Sequence, residues 1–78
     1  MNQMYRNKHT DHVVLVKDST LVSGHTVFIY EKVGLWVNGE VVLHPLKDQK
    51  EHRWEFRDFL NHHESVKHPD TGEEEEGQ

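Results

Sequence analysis

Leu35-Trp36-Val37-Asn38-Gly39-Glu40-Val41-Val42-Leu43 is the stretch that decides how this chain reads. Asn-Gly between two runs of β formers supplies the two positive-φ residues of a type I′ turn, whose twist matches that of the flanking strands. A two-residue loop fixes the register, with Val37 opposite Glu40, Trp36 opposite Val41 and Leu35 opposite Val42. Leu35 and Val42 then share one face, while Trp36, Val41 and Leu43 share the other. Both faces are apolar, which a sheet with one wet face does not need. The hairpin therefore predicts a sheet that curls into a small barrel, a sheet with something packed on its second face, or a face reserved for a partner.

Upstream the same character continues. Ten Val and no Ala favour strands, because β-branched side chains fit a pleated surface better than the crowded turn of a helix. Val13-Val14-Leu15-Val16-Lys17 is a strand expected to end at the turn formers Asp18-Ser19-Thr20. Thr26-Val27-Phe28-Ile29-Tyr30-Glu31 is a second strand after Ser23-Gly24. Phe28, Tyr30 and Trp36 are the candidate core aromatics.

Downstream, Pro45 has no amide donor and closes the last strand near residue 44. Asp48 and Glu51 resemble a capping box, and His52, Phe56, Phe59, Leu60 and His63 then fall on one helical face. His52-Arg53-Trp54-Glu55-Phe56-Arg57 also alternates with period two. Residues 48–61 contain no Gly, Pro or β-branched residue and are long for a strand, so a helix over about 48–62 is expected. Trp54 lies almost opposite its apolar face. The fold class is α+β, mainly β: a small antiparallel SH3-like barrel or curled sheet with a C-terminal helix.

The 78 residues carry nine Lys and Arg against 14 Asp and Glu, a formal charge of −5. Asp70 and Glu73 to Glu76 supply five of those acidic charges, so residues 1–69 are balanced and the acidity belongs to the end of the chain. Every apolar residue precedes Lys67. The organisation expected is one small β-rich domain over 1–64 and a disordered acidic tail over 65–78, which has too little apolar surface to offset its ordering entropy. A body of this size buries only about 60% of its unfolded surface, and binding a partner or a second copy would add to its stability. The absence of cysteine removes disulfides and Cys-based zinc sites. The longest apolar runs are four residues, far short of a membrane span. With no apolar stretch near Met1 to suggest a leader, the expected location is the cytoplasm.

Among motifs with chemical meaning, His9 and His12 have a His-x-x-His spacing, His62 and His63 are adjacent, and His68 follows. Imidazoles bind zinc, nickel or copper well. A spacing of three suits a helix face, however, whereas His9 and His12 occupy a turn-like polar stretch, and adjacent helical residues point about 100° apart. Surface or capping roles are the better reading, His62 and His63 standing at the negative end of a helix dipole, and neither metal nor cofactor is implied. No nucleophile elbow or phosphate-cradling glycine loop appears, so no enzyme is expected.

Trp36 and Trp54 with Tyr5, Tyr30, Arg53 and Arg57 could form a stacking platform for single-stranded nucleic acid. A balanced body with an acidic extension lacks the basic stripe that phosphate neutralisation needs. The acidic run itself reads as a solvated extension, the alternative being that it occupies a basic groove on another protein.

The sequence Tyr5-Arg6-Asn7-Lys8, the Ser23-Gly24 turn, the strand Val27-Phe28-Ile29-Tyr30-Glu31 and the later Val42-Leu43-His44-Pro45-Leu46 together resemble small phage- and prophage-encoded proteins with SH3-like barrels, over about residues 5–60. In those proteins the link to the final aromatic turn is shorter than residues 47–53 make it here. The resemblance implies a mobile-element origin, in which many such proteins bind and redirect or inhibit host proteins; no functional residue carries over. The expected function is thus a non-enzymatic protein-binding module, a phage-type inhibitor or modulator of a host or defence protein. Trp54, Arg53 and Arg57 on the outward helical face, with Trp36 of the hairpin, are the expected contacts. The alternatives are a small-barrel binder of single-stranded nucleic acid and a homo-oligomeric accessory protein whose spare hairpin face is covered by its own copy.

Overall fold

The computed structural model describes residues 2–44 and 50–67. Its elements in chain order are β1 (Gln3–Asn7), β2 (His12–Val22), β3 (His25–Val37), β4 (Glu40–Leu43), β5 (His52–Glu55), α1 (Phe56–His62) and β6 (His63–Ser65). The strands form one antiparallel sheet in the order β4-β3-β2-β1-β6, with β5 pairing β3 off that path. It curls into a half-barrel, and the short helix lies near the C-terminal end of the chain. No helix among the described residues is long and apolar enough to cross a membrane.

The hairpin adopts the register its turn chemistry requires, pairing Val37 with Glu40, Trp36 with Val41 and Leu35 with Val42. Asn38 and Gly39 take φ of 52° and 83°. Ser23 and Gly24, at 52° and 81°, turn β2 into β3 in the same way. Asp18-Ser19-Thr20 does not end a strand as expected: β2 runs through these residues to Val22. Their turn propensity is overridden by the backbone ladder to residues 27–29, and the disturbance is a bulge between Val16 and Asp18. A bulge adds one residue and bends the strand without ending the pairing. Lys17, the extra residue, reaches Glu31 at 2.8 Å.

The expected helix over 48–62 is corrected at its start. His52–Glu55 form a strand, and the helix occupies Phe56–His62; Asp48 of the expected capping box lies outside the described residues. β3 is 13 residues long and β4 covers only its C-terminal end, leaving residues 27–30 with a free edge. Residues 52–55 satisfy that edge, with Phe28 opposite Trp54 and Tyr30 opposite His52. The period-two alternation therefore prevails where a ladder partner exists, and the helical period takes over after it. Glu55 caps the helix, its side chain accepting from the amide of Asp58 at 3.0 Å. At the other end the carbonyl of His62 accepts from the amide of Lys8 at 2.9 Å. β6 then pairs with β1 through Ser65, and the amide of Val66 donates to the carbonyl of Met4 at 3.1 Å. Ser65 and Val66 thus belong with the sheet, just past the boundary expected at 64.

Adjacent Val13 and Val14 are 0% and 2% exposed, so both faces of the sheet are covered at this point. On one face Val14, Val16, Phe28 and Tyr30 pack with Phe59 of the helix, flanked by Tyr5, Trp54 and Phe56. Phe59 is fully buried, with Tyr5 and Phe28 edge-on at 5.1 and 5.3 Å between ring centroids. Burying one such side chain contributes about 1.5–3 kcal/mol. On the other face Met4 and Val13 are buried beside Trp36, whose ring lies 5.3 Å from the guanidinium of Arg6.

Candidate functional site

Among the described residues the curl leaves two concavities of interest. The larger lies on the face of Met4, Val13 and Trp36, and holds about 580 Å³ between the two ends of the sheet. Glu40 and Val41 of β4 line one side, Glu64 to Lys67 the other, with Trp36 between them. Arg6 spans it electrostatically: its Nε donates to Asp11 at 3.0 Å and its Nη1 pairs with Glu64. The hydrogen bond that Arg6 donates to Asp11, together with Glu64, holds the Arg6 pKa above its ordinary value.

β4 is the terminal strand of the sheet and pairs only with β3 among the described residues. In a two-residue hairpin the residues flanking the loop exchange hydrogen bonds, and alternate residues turn their amide and carbonyl outward. Glu40 and Val42 therefore bond to β3, a pattern continued by the amide of His44 on the carbonyl of Val33 at 3.1 Å. Val41 and Leu43 present their backbone groups at the free edge. Beside that edge Leu35, Val37 and Val42 expose 37%, 42% and 45% of their surface on one face of the hairpin.

The smaller concavity, about 280 Å³, opens on the aromatic face where the helix stops covering it. Its lining draws His12 from β2, Lys32 and Tyr30 from β3, His52 and Trp54 from β5 and His63 from β6. The imidazole of His52 stacks on Tyr30 at 5.4 Å. His63 is 4% exposed and its Nδ1 lies 2.7 Å from the carbonyl of Phe59. Because a carbonyl only accepts, Nδ1 carries the hydrogen of the neutral ring and Nε2 keeps its lone pair. Burial pushes the His63 pKa below its ordinary value; the Phe59 hydrogen bond opposes this, and His62, His9 and Lys8 add to it. Burial likewise raises the Tyr30 hydroxyl.

Compared with protein-family models, curated proteins and solved structures, the chain finds no match.

The residues expected as contacts are placed differently from one another. Trp36 lies half-buried at the groove. Trp54, Arg53 and Arg57 do not share an outward helical face: Trp54 and Arg53 are neighbours on β5 and so point to opposite sides of the sheet, while Arg57 lies in the first turn of α1. Trp54 is partly buried against the core, its Nε1 donating to Asp58 Oδ2 at 2.6 Å. Arg53 is exposed with Glu51 at 3.8 Å, and Arg57 lies 6.0 Å from the ring of Phe56. Among the histidines, His9 and His62 approach to 5.3 Å between ring centroids, yet among the described residues no three His, Cys, Asp or Glu side chains form a metal-binding group. His68 and the acidic run lie outside the described residues.

Sequence reasoning missed the gathering of His12, Lys32, His52 and His63. The alternation across 52–57 carried the signal for His52 and Trp54. Bringing these to His12 and His63 depends on the order of strands, which no local pattern encodes.

Proposed function

We propose that this chain is a non-enzymatic protein-binding module that receives an extended segment of a partner protein along the free edge of β4, over the groove floored by Trp36. The observation that carries the reading is the outward-facing backbone of Val41 and Leu43 beside an indole and exposed Leu35, Val37 and Val42. An added strand takes its affinity from main-chain hydrogen bonds and its specificity from pockets that accept alternate side chains. Trp36, an aromatic at the centre of such a groove, has the character of an interface anchor. A bare apolar edge left unpaired invites indiscriminate association, so a dedicated partner strand is the reading that turns this liability into function. The cytoplasm, or the host cytoplasm if the chain is phage-encoded, is the proposed setting, with inhibition or modulation of a host protein as the outcome of binding.

A peptide library displayed on phage particles and selected against the full chain tests this. Selected peptides should bind with main-chain contacts to β4 in solution spectra, and Val41→Pro should abolish them, because proline removes an outward amide that β3 does not use. Binding unaffected by Val41→Pro, or peptides mapped to another surface, overturns the reading. Light scattering at two concentrations separates it from self-pairing: a dimer dissociated by the same substitution would make the partner a second copy.

A further inference from the structure

We propose that the smaller concavity is a binding site for a small anion carrying a flat ring, such as an aromatic carboxylate, held by Lys32, His12 and His52 and seated against Trp54. This site is separate from the β4 groove and does not depend on the function proposed for it. Residues on a core-facing side of a sheet are ordinarily apolar, since burying a polar group without a partner is costly. Here the rows that continue the core outward from Val14, Tyr30 and Trp54 carry buried His63, half-buried His12 and His52 and the exposed ammonium group of Lys32 instead. Their convergence is matched by no acid: none of the described lining residues is a carboxylate. Lys32 has no ion pair among the described residues, unlike Lys17 with Glu31, and Asp58, bonded to Trp54, also lies 3.6 Å from His62. The rim thus offers one unmatched ammonium group beside imidazole rings.

The walls define the rest of the ligand. Half-buried Trp54 offers apolar area to a planar group, whereas Tyr30 is 8% exposed with His52 stacked on it at 5.4 Å and forms only the floor. His63, with Nδ1 committed to Phe59, presents an acceptor rather than a donor at Nε2, so it suits a ligand hydroxyl or amine better than the acid group. A volume of about 280 Å³ fits a single small molecule and falls at the lower limit of ordinary ligand pockets.

Benzoate titrated into the full chain at about pH 6, where imidazoles gain charge, supplies the test, read by amide chemical shifts and calorimetry. Benzoate should bind saturably, with shifts centred on Lys32, His52 and Trp54. Its neutral isostere benzamide and inorganic phosphate should each bind more weakly. Lys32→Ala should weaken benzoate about tenfold or more, as expected for loss of a charge-assisted contact, and Lys32→Arg should restore it. The benzoate-to-benzamide comparison uses the unaltered chain and stands even if a variant fails to fold. Equal binding of benzamide, equal binding of phosphate, or shifts confined to other surfaces overturns the proposal. So does a short oligonucleotide that binds more tightly than benzoate with a steep salt dependence and is lost in Lys32→Ala, because that would assign the site to nucleic acid.

Discussion

The imidazole of His63 lies flat on the ring of Phe59, with centroids 3.8 Å apart and planes within 7° of parallel, while its Nδ1 bonds to the carbonyl of that same residue. One side chain thereby closes the end of the helix and extends the aromatic core. Burial at this position requires the neutral ring to be the better-accommodated form, a requirement that the bond to the Phe59 carbonyl opposes in part.

That requirement sets a pH dependence. An imidazole whose pKa is held below its unfolded value of about 6.5 binds its proton more readily in the unfolded chain. Its contribution to stability is therefore complete above that value and is lost as pH falls toward the lowered native pKa. Thermal unfolding midpoints should drop as pH falls below about 6.5. His63→Phe, which keeps the stack but cannot titrate, should flatten that part of the profile relative to the parent. Identical pH profiles for the two proteins would contradict the burial of a neutral His63.

Phe59 is the residue on which the helix depends. Phe59→Ala should cost about 3–5 kcal/mol by urea denaturation, a large fraction of the roughly 5–15 kcal/mol available to a whole domain. The variant should be largely unfolded or should lose its near-ultraviolet aromatic signal.

Trp54 distinguishes a core residue from a contact residue. It packs on Phe59 and His63 at 5.9 and 5.2 Å between ring centroids and donates to Asp58, so Trp54→Ala should destabilise the chain by about 2–4 kcal/mol. A substitution that left unfolding unchanged while abolishing partner binding would restore the contact role expected from a helical reading.

Gly34 holds β4 in place by lacking a side chain. A Cβ at this position would meet the carbonyl oxygen of Val42 and lie 3.0 Å from the Cα of Leu43, both backbone atoms that cannot rotate away. Gly34→Ala should cost about 1–3 kcal/mol and accelerate amide exchange at Glu40 and Val42, whose bonds to β3 it disturbs. Because the same strand carries the proposed docking edge, peptide binding should weaken in parallel.

The Asn38-Gly39 and Ser23-Gly24 turns, the pairing of Trp36 with Val41, and the core placement of Phe28 and Tyr30 were all legible before any coordinates. Each rests on chemistry within a few residues: positive φ at the turn, fixed register across a short loop, and alternation along a strand. Residues 52–62 were legible only as an ambiguity, because His52-Arg53-Trp54-Glu55 satisfies both periods. The missing information was the unpaired stretch of β3 more than 20 residues earlier, a ladder partner that makes the extended form the better-bonded one. The bulge at Lys17 was hidden for a similar reason, since turn formers remain in a strand when the opposite strand continues past them.

By itself, then, the sequence determined a mainly β fold with an I′ hairpin at Asn38-Gly39, a turn at Ser23-Gly24 and an aromatic interior, because those features follow from local backbone preference and apolar spacing. Tertiary structure alone decided which edge stays open and which polar side chains meet. Among the described residues β4 has no second neighbour because β5 pairs farther back on β3, and His12, Lys32, His52 and His63 come together because strands distant in the chain are adjacent in the sheet. Both outcomes are set by the order in which backbone hydrogen bonds are satisfied across the whole sheet, a competition that no single segment can resolve.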